Sequence, residues 1–271
     1  MTSVRSPRRS ASLVAAAIGL ASLLMLPARA PTQTLPRCAV SSELGRFDLP
    51  LSHIAQRIAF GEPVKIVAIG SSSTSGSGAS SIAFSYPSQL EVELKARFPK
   101  LSITVLNRGI GGEEAAQMLA RFAEVVIAER PDLVLWQVGT NAVLRDHDVM
   151  KVIDVIREGL GRLKAIGADV ILIDPQFAPR VIEKGEAKHM VELIAAAAKR
   201  ENVDLFRRFG VMRYWNGTRH ISFQQSIGPD GLHMNDWSCG CMAKLLANAI
   251  TDASTRVPQT ARIPPVPTAQ R

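Results

Sequence analysis

Apolar runs and amphipathic segments alternate along this chain of 271 residues. Five short runs, rich in β-branched and other apolar residues, predict strands buried on both faces of a sheet. They are Val64–Ile69, Ile103–Leu106, Leu133–Val138, Val170–Ile173 and the more weakly patterned Val203–Phe206. Longer segments with a helical spacing of apolar positions lie between and around them. These predict helices over Pro50–Phe60, Pro87–Phe98, Glu113–Glu129, Val149–Ile166, Lys184–Arg200 and Trp237–Ile250.

The alternation of strands and helices determines the expected fold class. Helices of this length between strands require right-handed βαβ crossovers, which give a parallel sheet covered on both faces. We therefore predict a three-layer α/β/α fold with a parallel sheet of about five strands. Residues 61–252 form one domain with a sizeable core, and residues 31–60 form an N-terminal arm and helix ahead of it. Two connections, Pro175–Glu183 and Arg207–Gly228, are long for simple loops, and we expect them to wall a pocket.

Residues 1–30 have the pattern of a secretory signal peptide. Three arginines, at positions 5, 8 and 9, precede an apolar run from Leu13 to Leu26 that is too short to span a bilayer. Ala28-Arg29-Ala30 then offers an A-x-A cleavage site, although Pro31 directly after it would hinder the cut. We predict export to the periplasm or the medium of a bacterial cell, with the segment either cleaved or retained as an anchor.

The formal net charge of +8 comes mainly from the two ends of the chain. Residues 1–30 contain four arginines and no acidic residue, so their removal would halve this charge. Residues 253–271 contain three more arginines without an acidic residue and are rich in proline and threonine, which predicts a disordered tail. The domain between them is close to neutral, and no nucleic-acid partner is indicated.

The chain has three cysteines, Cys38, Cys239 and Cys241, which in an exported protein allow one disulfide and one free thiol. Cys239 and Cys241 are separated by a single residue on a predicted helix, so their side chains diverge too far for a bond between them. We expect Cys38 to pair with one of the two and favour Cys241, which lies deeper in the helix; three reduced thiols in a core are the alternative. No second Cys/His pair has the spacing of metal ligands, so no metal site is predicted.

Glycines and small polar residues collect where the predicted strands end, which is where open parallel sheets bind their ligands. The first three strands are followed by Gly70-Ser71-Ser72-Ser73-Thr74, by Asn107-Arg108-Gly109-Ile110-Gly111-Gly112-Glu113 and by Gly139-Thr140-Asn141, and Asp230-Gly231-Leu232-His233 precedes the last helix. A serine nucleophile needs a histidine base, and that histidine needs a carboxylate to orient it. A glycine N–H and an asparagine amide can stabilise the oxyanion of a tetrahedral intermediate. The motifs therefore contain the parts for acyl transfer.

With these four motifs in this order, the chain resembles the SGNH, or GDSL-type, serine hydrolases, and the resemblance covers roughly residues 64–250. It implies a flavodoxin-like three-layer fold. It also implies that Ser72 is the nucleophile, that His233 is the base and that Asp230 orients it. Gly112 and Asn141 take the oxyanion-hole positions, and in the family the N–H of the nucleophilic serine is a further donor there.

The first motif departs from the family pattern at Ser71, where the family usually has aspartate. That aspartate is not the acid of the triad, so catalysis is not excluded, but the hydrogen bonding of the turn must differ. Ser71 and Ser73 are alternative nucleophiles, although only Ser72 fits the register of the motif. If Asp230 does not orient the histidine, Asp236 is the carboxylate to test.

The second motif offers three glycines for the oxyanion hole. Gly109 and Gly111 compete with Gly112, which we favour because it directly precedes the acidic pair Glu113-Glu114 at the start of a predicted helix.

Two functions from different classes follow. The first is an exported esterase that uses an acyl-enzyme and no cofactor. The resemblance implies acetylated sugars, short acyl esters, thioesters or lysophospholipids as substrates, and export favours acetylated glycans or envelope lipids. The second is a non-catalytic carbohydrate- or lipid-binding protein on the same scaffold, since a fold does not fix a function. The complete set of catalytic residue types favours the esterase. We expect a monomer, and a peripheral association with the cell envelope is compatible with the sequence.

Overall fold

A computed structural model of the chain describes residues 1–2 and 37–256. Five parallel strands form its sheet in the order β2-β1-β3-β4-β5. They are β1 (Val64–Gly70), β2 (Ile103–Gly109), β3 (Leu133–Gln137), β4 (Asp169–Ile173) and β5 (Asp204–Phe206). The predicted three-layer α/β/α, flavodoxin-like fold is confirmed.

Twelve α-helices of the described residues surround the sheet. They are α1 (Ser52–Phe60), α2 (Ser72–Ser75), α3 (Tyr86–Arg97), α4 (Ala115–Ala120), α5 (Phe122–Val125), α6 (Thr140–Leu144), α7 (Val149–Ala165), α8 (Pro179–Ile182), α9 (Ala187–Glu201), α10 (Arg208–Gly217), α11 (Phe223–Ser226) and α12 (Asp236–Thr255). Short 3₁₀ helices occupy Ile82–Phe84 and Ile127–Glu129. Helices α1, α3 and α12 pack together on one face of the sheet, and α4, α7 and α9 pack together on the other.

The strand order creates a switch point between β1 and β3. The chain leaves β1 toward one edge of the sheet to form β2, then crosses back over β1 to form β3 on its other side. Connections after β1 and β3 therefore diverge to opposite faces and leave a crevice at the carboxyl ends of these strands. The motifs that contain Ser72 and Asn141 both begin at this crevice.

The predicted helix over Glu113–Glu129 is wrong as one continuous element. The structure divides it into α4, α5 and a 3₁₀ turn, with a break at Arg121. The guanidinium of Arg121 donates to the Glu113 carboxylate at 2.6 Å and to the Arg108 carbonyl at 2.7 Å. These bonds hold residue 121 against the end of β2, so the chain turns there and buries Phe122 edge-on against Trp136.

The predicted loop over Arg207–Gly228 is also wrong, because helices α10 and α11 occupy most of it. In α10 the side chains of Arg208, Val211, Met212 and Trp215 are all buried, at the spacing of one helical face. The aromatic and arginine residues concealed that period from a reading based on aliphatic positions. Helix α8 likewise lies within the other predicted loop.

Several helix boundaries also differ from the predictions. Helix α1 begins at Ser52, so Pro50 precedes the helix instead of opening it. Helix α12 continues to Thr255, so the predicted disordered tail does not begin at Ala253. Ala253 and Ser254 are buried, which favours continued helix over a solvated tail. Arg256 is the last described residue of that tail, and residues 257–271 lie outside the described residues. The predicted signal peptide also lies outside them, apart from residues 1–2.

A disulfide joins the amino-terminal arm to α12. It links Cys38 to Cys241 across 203 positions of sequence with a Cα–Cα distance of 5.1 Å, and Cys239 is a buried free thiol. Two hydrogen bonds reinforce the contact between the arm and the end of α12: the Leu51 N–H donates to the Ala253 carbonyl, and the Arg256 guanidinium donates to the Phe47 carbonyl. In the part of the chain that the structure describes, no helix is both long and apolar enough to cross a bilayer.

Candidate active site

The turn after β1 places Ser72 as the first residue of α2. Ser71 is buried, and both its backbone N–H and its hydroxyl donate to the side-chain oxygen of Gln137 at 2.9 and 3.0 Å. Thr74 is buried one turn later, 3.4 Å from the same oxygen and 3.2 Å from the Tyr86 hydroxyl. The side chain of Gln137 thus anchors the turn at Ser71, where the family usually has aspartate, and Ser72 remains partly exposed.

Ser72, His233 and Asp230 form a continuous hydrogen-bonded chain. The Ser72 hydroxyl lies 2.8 Å from Nε2 of His233, and Nδ1 of the same ring is hydrogen-bonded to Oδ2 of Asp230. The other oxygen of Asp230 accepts the backbone N–H groups of Leu232 and His233, both at 3.0 Å. These bonds close the Asp-x-x-His turn and fix the imidazole between the carboxylate and the serine.

The Asp230 carboxyl is held in its ionised form. Burial by itself raises its pKa, but the hydrogen bonds from the His233 backbone and imidazole and from the Leu232 N–H outweigh burial and lower the pKa below its ordinary value. A carboxylate that stays ionised can stabilise a positive charge on the imidazole beside it.

Asp236, the alternative to Asp230 as the acid of the triad, binds Ser80 in the structure. Its two carboxylate oxygens accept the backbone N–H of Ser80 at 2.7 Å and the Ser80 hydroxyl at 2.6 Å. These bonds tie the segment after the Ser72 turn to the start of α12.

The glycines of the second motif differ in what their N–H groups do. The N–H of Gly109 donates to the Asn107 side chain at 3.0 Å, so it is not available to an oxyanion. Gly112 occupies the third position of a turn from Ile110 to Glu113 and has φ of +81°, which glycine adopts without strain. Gly111 lies against the nucleophile turn, since a Cβ placed on it would be 4.0 Å from Cβ of Ser72. Gly111 therefore adjoins the serine, whereas a Cβ placed on Gly112 would meet the Arg145 guanidinium at 3.6 Å.

Asn141 connects the third motif to the second. Its side-chain amide donates to the Glu113 carbonyl at 2.7 Å, which leaves one amide hydrogen for another acceptor. Arg145, one turn further along, donates to the Gly112 carbonyl at 2.9 Å and pairs with Glu114. The two side chains hold the glycine turn and the start of α6 together.

Both long connections predicted to wall a pocket contribute to one. A cavity of about 510 Å³ lies beside the Asp-x-x-His motif. Pro179 comes from the first connection, and Phe223 and Ile227 come from the second. Gly231 of the Asp-x-x-His motif and Gly78, from the segment after α2, also line the cavity. Within residues 37–256, no group of three or more His, Cys, Asp or Glu side chains is arranged to hold a metal ion.

Comparison with known proteins identifies the family of the chain. The sequence model of the Non-GDSL lipase-like family matches residues 37–256, which include all four motifs. The chain belongs to this family. Over 56 residues it is 43% identical to an acetylxylan esterase of Geobacillus stearothermophilus, a match that spans 21% of this chain and only 26% of that enzyme.

Solved structures with the same fold include carbohydrate esterases. A two-domain esterase active on acetylated mannans, co-crystallised with mannopentaose, has a TM-score of 0.64 and 20% identity, over 80% of this chain and 58% of that chain. A catalytic mutant of the acetylxylan esterase from G. stearothermophilus has a TM-score of 0.56 and 20% identity, over 70% of this chain and 94% of that chain. At these identities, the likeness establishes that this Non-GDSL lipase-like protein shares their fold.

Several polar residues behind the site were not found from the sequence. Gln137, Gln176 and Arg208 are all buried in this Non-GDSL lipase-like protein, and their side chains contact three of the four motifs. Gln137 gave a signal that could have been used, because it is a polar residue at the end of a strand that is otherwise apolar. Gln176 and Arg208 lie in segments predicted as loops, where a polar residue attracts no notice.

Proposed function

We propose that this protein is an exported serine esterase that hydrolyses O-acyl groups, acetyl above all, from a carbohydrate. The observation that carries the proposal is the chain of hydrogen bonds from the Ser72 hydroxyl through His233 to Asp230. The fold does not need an ionised carboxylate beside a histidine that in turn contacts a partly exposed serine. The same order is what nucleophilic acyl transfer requires.

In the first half of the reaction, Nε2 of His233 removes the hydroxyl proton of Ser72 while the oxygen attacks the ester carbonyl. The tetrahedral intermediate collapses as the protonated imidazole gives that proton to the leaving sugar hydroxyl, which leaves an acyl group on Ser72. His233 next deprotonates a water molecule, and the resulting hydroxide attacks the acyl-enzyme. Collapse of the second intermediate releases the carboxylic acid and returns the proton to Ser72.

We place the negatively charged oxygen of the tetrahedral intermediate between the motifs that contain Ser72, Gly112 and Asn141. We propose that the backbone N–H groups of Ser72 and Gly112 and the remaining amide hydrogen of Asn141 donate to it. The turn at Gly112 supports this role, since Asn141 and Arg145 hold it from one side through the Glu113 and Gly112 carbonyls. Loss of one such donor typically lowers kcat by about 100- to 1,000-fold.

Two lines of support favour an acetylated glycan outside the cytoplasm. The segment of 56 residues is similar to an acetylxylan esterase, and a neighbour of the same fold is active on acetylated mannans. The disulfide between Cys38 and Cys241 suits an oxidising compartment, as does the signal-like amino terminus.

Replacement of the nucleophile tests the proposal. We expect Ser72→Ala to lower the rate of p-nitrophenyl acetate hydrolysis at least about 1,000-fold, with the fold intact by circular dichroism. Ser73→Ala is the matched control and should retain most of the activity. Activity that survives Ser72→Ala but is lost in Ser73→Ala would place the nucleophile one residue further on. A wild-type protein that binds glycans without hydrolysing any ester would instead be a binding module.

The substrate class is tested by varying the acyl chain and the alcohol separately. We expect kcat/KM to be highest for acetyl esters in a p-nitrophenyl series from acetyl to palmitoyl, and we expect release of acetate from acetylated xylan or mannan. A maximum at long acyl chains, together with activity on a lysophospholipid, would replace the glycan substrate with a lipid.

A further inference from the structure

A fully buried arginine lies beneath the candidate active site. Arg208 begins α10, and its guanidinium has no exposure to solvent. Its Nε donates to the Asp174 carbonyl at 2.9 Å, and its Nη2 donates to the side-chain oxygen of Gln176 at 2.9 Å, with the Thr140 hydroxyl at 3.5 Å. All three hydrogen-bond acceptors are neutral oxygens.

Gln176 extends these contacts to two motifs of the site. Its Oε1 accepts the Thr140 hydroxyl at 2.9 Å, and its Nε2 donates to the Leu232 carbonyl at 3.2 Å. Thr140 directly precedes Asn141 in the chain, and Leu232 directly precedes His233. One buried amide therefore joins the turn that carries the asparagine to the turn that carries the histidine.

Stability alone does not account for this arrangement. A guanidinium removed from water without a carboxylate in hydrogen-bond contact carries a large desolvation penalty, which the charge of the Asp174 carboxyl offsets only in part, and Nη1 of Arg208 donates to none of the described residues. Burial accordingly lowers the pKa of Arg208 to about 10. An apolar side chain of similar volume would usually stabilise the core as well or better.

We propose that Gln176, itself held by Arg208, is a positioning residue that sets the distance between the Asp230–His233 turn and the Thr140–Asn141 turn. The inference rests on the proposed esterase function, because a fixed geometry at both turns matters when base and oxyanion donors act on one substrate. The Arg208 guanidinium donates to Oε1 of Gln176 and thereby fixes the orientation of the amide. Nε2 of Gln176 therefore faces the Leu232 carbonyl.

Two substitutions separate this role from a contribution to stability. Gln176→Glu keeps oxygen acceptors for Thr140 and Arg208 but replaces the donor that faces the Leu232 carbonyl with a second oxygen. Gln176→Met removes all three hydrogen bonds. Leu163→Ala, in the apolar core on the opposite face of the sheet, is the control for a loss of stability without a change in the network.

We expect kcat for p-nitrophenyl acetate to fall about 10- to 100-fold in both Gln176 variants, with KM little changed, because small displacements of catalytic groups have effects of this size. Leu163→Ala should retain its kcat at temperatures where it is folded. Gln176→Glu gains an ion pair with Arg208, which offsets the lost hydrogen bond in the stability of the fold. If Gln176 served stability alone, this variant would therefore keep the kcat of the wild type. A kcat equal to that of the wild type in folded Gln176→Glu would overturn the proposal; if that variant fails to fold, Gln176→Met decides.

A spectroscopic measurement keeps this inference distinct from the esterase proposal. The proton between His233 and Asp230 should give a downfield ¹H resonance in the wild type that is absent in His233→Ala. We expect this resonance to shift or broaden in Gln176→Glu and to be unchanged in Leu163→Ala, whether or not the protein hydrolyses esters. An unaltered resonance in Gln176→Glu would show that the amide does not position the histidine turn.

Discussion

The two oxygens of Asp230 have separate tasks at the residue scale. Oδ1 accepts two backbone N–H groups and closes the turn, whereas Oδ2 accepts the imidazole N–H of His233. Substitution by asparagine therefore keeps an acceptor for the turn but changes what faces the ring. An amide hydrogen opposite Nδ1 stabilises the wrong tautomer, in which Nε2 carries the proton and cannot receive one from Ser72.

We expect His233→Ala to lower kcat about as much as Ser72→Ala does, because base and nucleophile act as one unit. Asp230→Asn should be less damaging, with a loss roughly 10- to 100-fold smaller than that of His233→Ala, since the asparagine still holds the turn. Steady-state rates with p-nitrophenyl acetate check both. Asp236→Asn, whose carboxylate binds Ser80, is the comparison: a larger loss there than in Asp230→Asn would exchange the two roles.

Sequence order predicted that the motifs with Ser72 and Asn141 lie at one edge of the sheet, because parallel strands bring their carboxyl ends together, whereas the roles of Asp230 and His233 came from the family resemblance. The same reasoning could not find Gln137 or Gln176, whose importance comes from burial and from the atoms that converge on their amides. It also could not choose among the glycines, since the Asn107 side chain that occupies the Gly109 N–H is known only from the structure.

At the scale of elements, strands were predicted more accurately than helices. Each strand of the sheet overlaps a predicted apolar run, and its ends coincide with the predicted ends to within three residues. Helices failed where side chains from elsewhere determined the chain direction, as Arg121 does between α4 and α5. Helix α10 was missed because a buried arginine and a buried tryptophan form part of its inner face.

The disulfide belongs to this scale, because it joins the arm that precedes α1 to α12. Closing a loop of this length stabilises the fold by about 5 kcal/mol in the chain-entropy model, so Cys38→Ser should lower the free energy of unfolding by up to that amount. Urea unfolding measures the change, with Cys239→Ala as a control that leaves the cross-link in place. Thiol counting of denatured, unreduced protein should find one free thiol; three would contradict the pairing.

At the scale of the whole molecule, two buried acids contribute to how stability depends on pH. Burial raises the pKa of the Asp174 carboxyl to about 7 despite the hydrogen bond from the Phe209 N–H and the charge of Arg208, and it raises that of Asp204 to about 6. Both groups bind a proton more tightly in the folded chain than in the unfolded chain, where the ordinary value of 3.8 applies. Their contribution to stability is therefore fully present below about pH 4 and is lost as the pH rises to about 7.

We expect the free energy of unfolding to fall between pH 4.5 and 7.5, and Asp174→Asn to remove roughly 2 to 4 kcal/mol of that fall. The asparagine keeps an oxygen for the Phe209 N–H, so the start of α10 should persist. Urea unfolding at the two pH values provides the measurement. Asp154→Asn, at an exposed position of α7, should reproduce the slope of the wild type. An equal slope in Asp174→Asn would show that this carboxyl does not titrate with folding.

Covalent labelling of the folded protein with a fluorophosphonate, followed by mass spectrometry of its peptides, tests most directly whether Ser72 is an activated nucleophile. We expect one adduct per chain, located on Ser72, with no adduct in Ser72→Ala and little in His233→Ala. An adduct on Ser71 or Ser73, or a folded wild-type protein that takes up no label, would contradict the claim that Ser72 is an activated nucleophile.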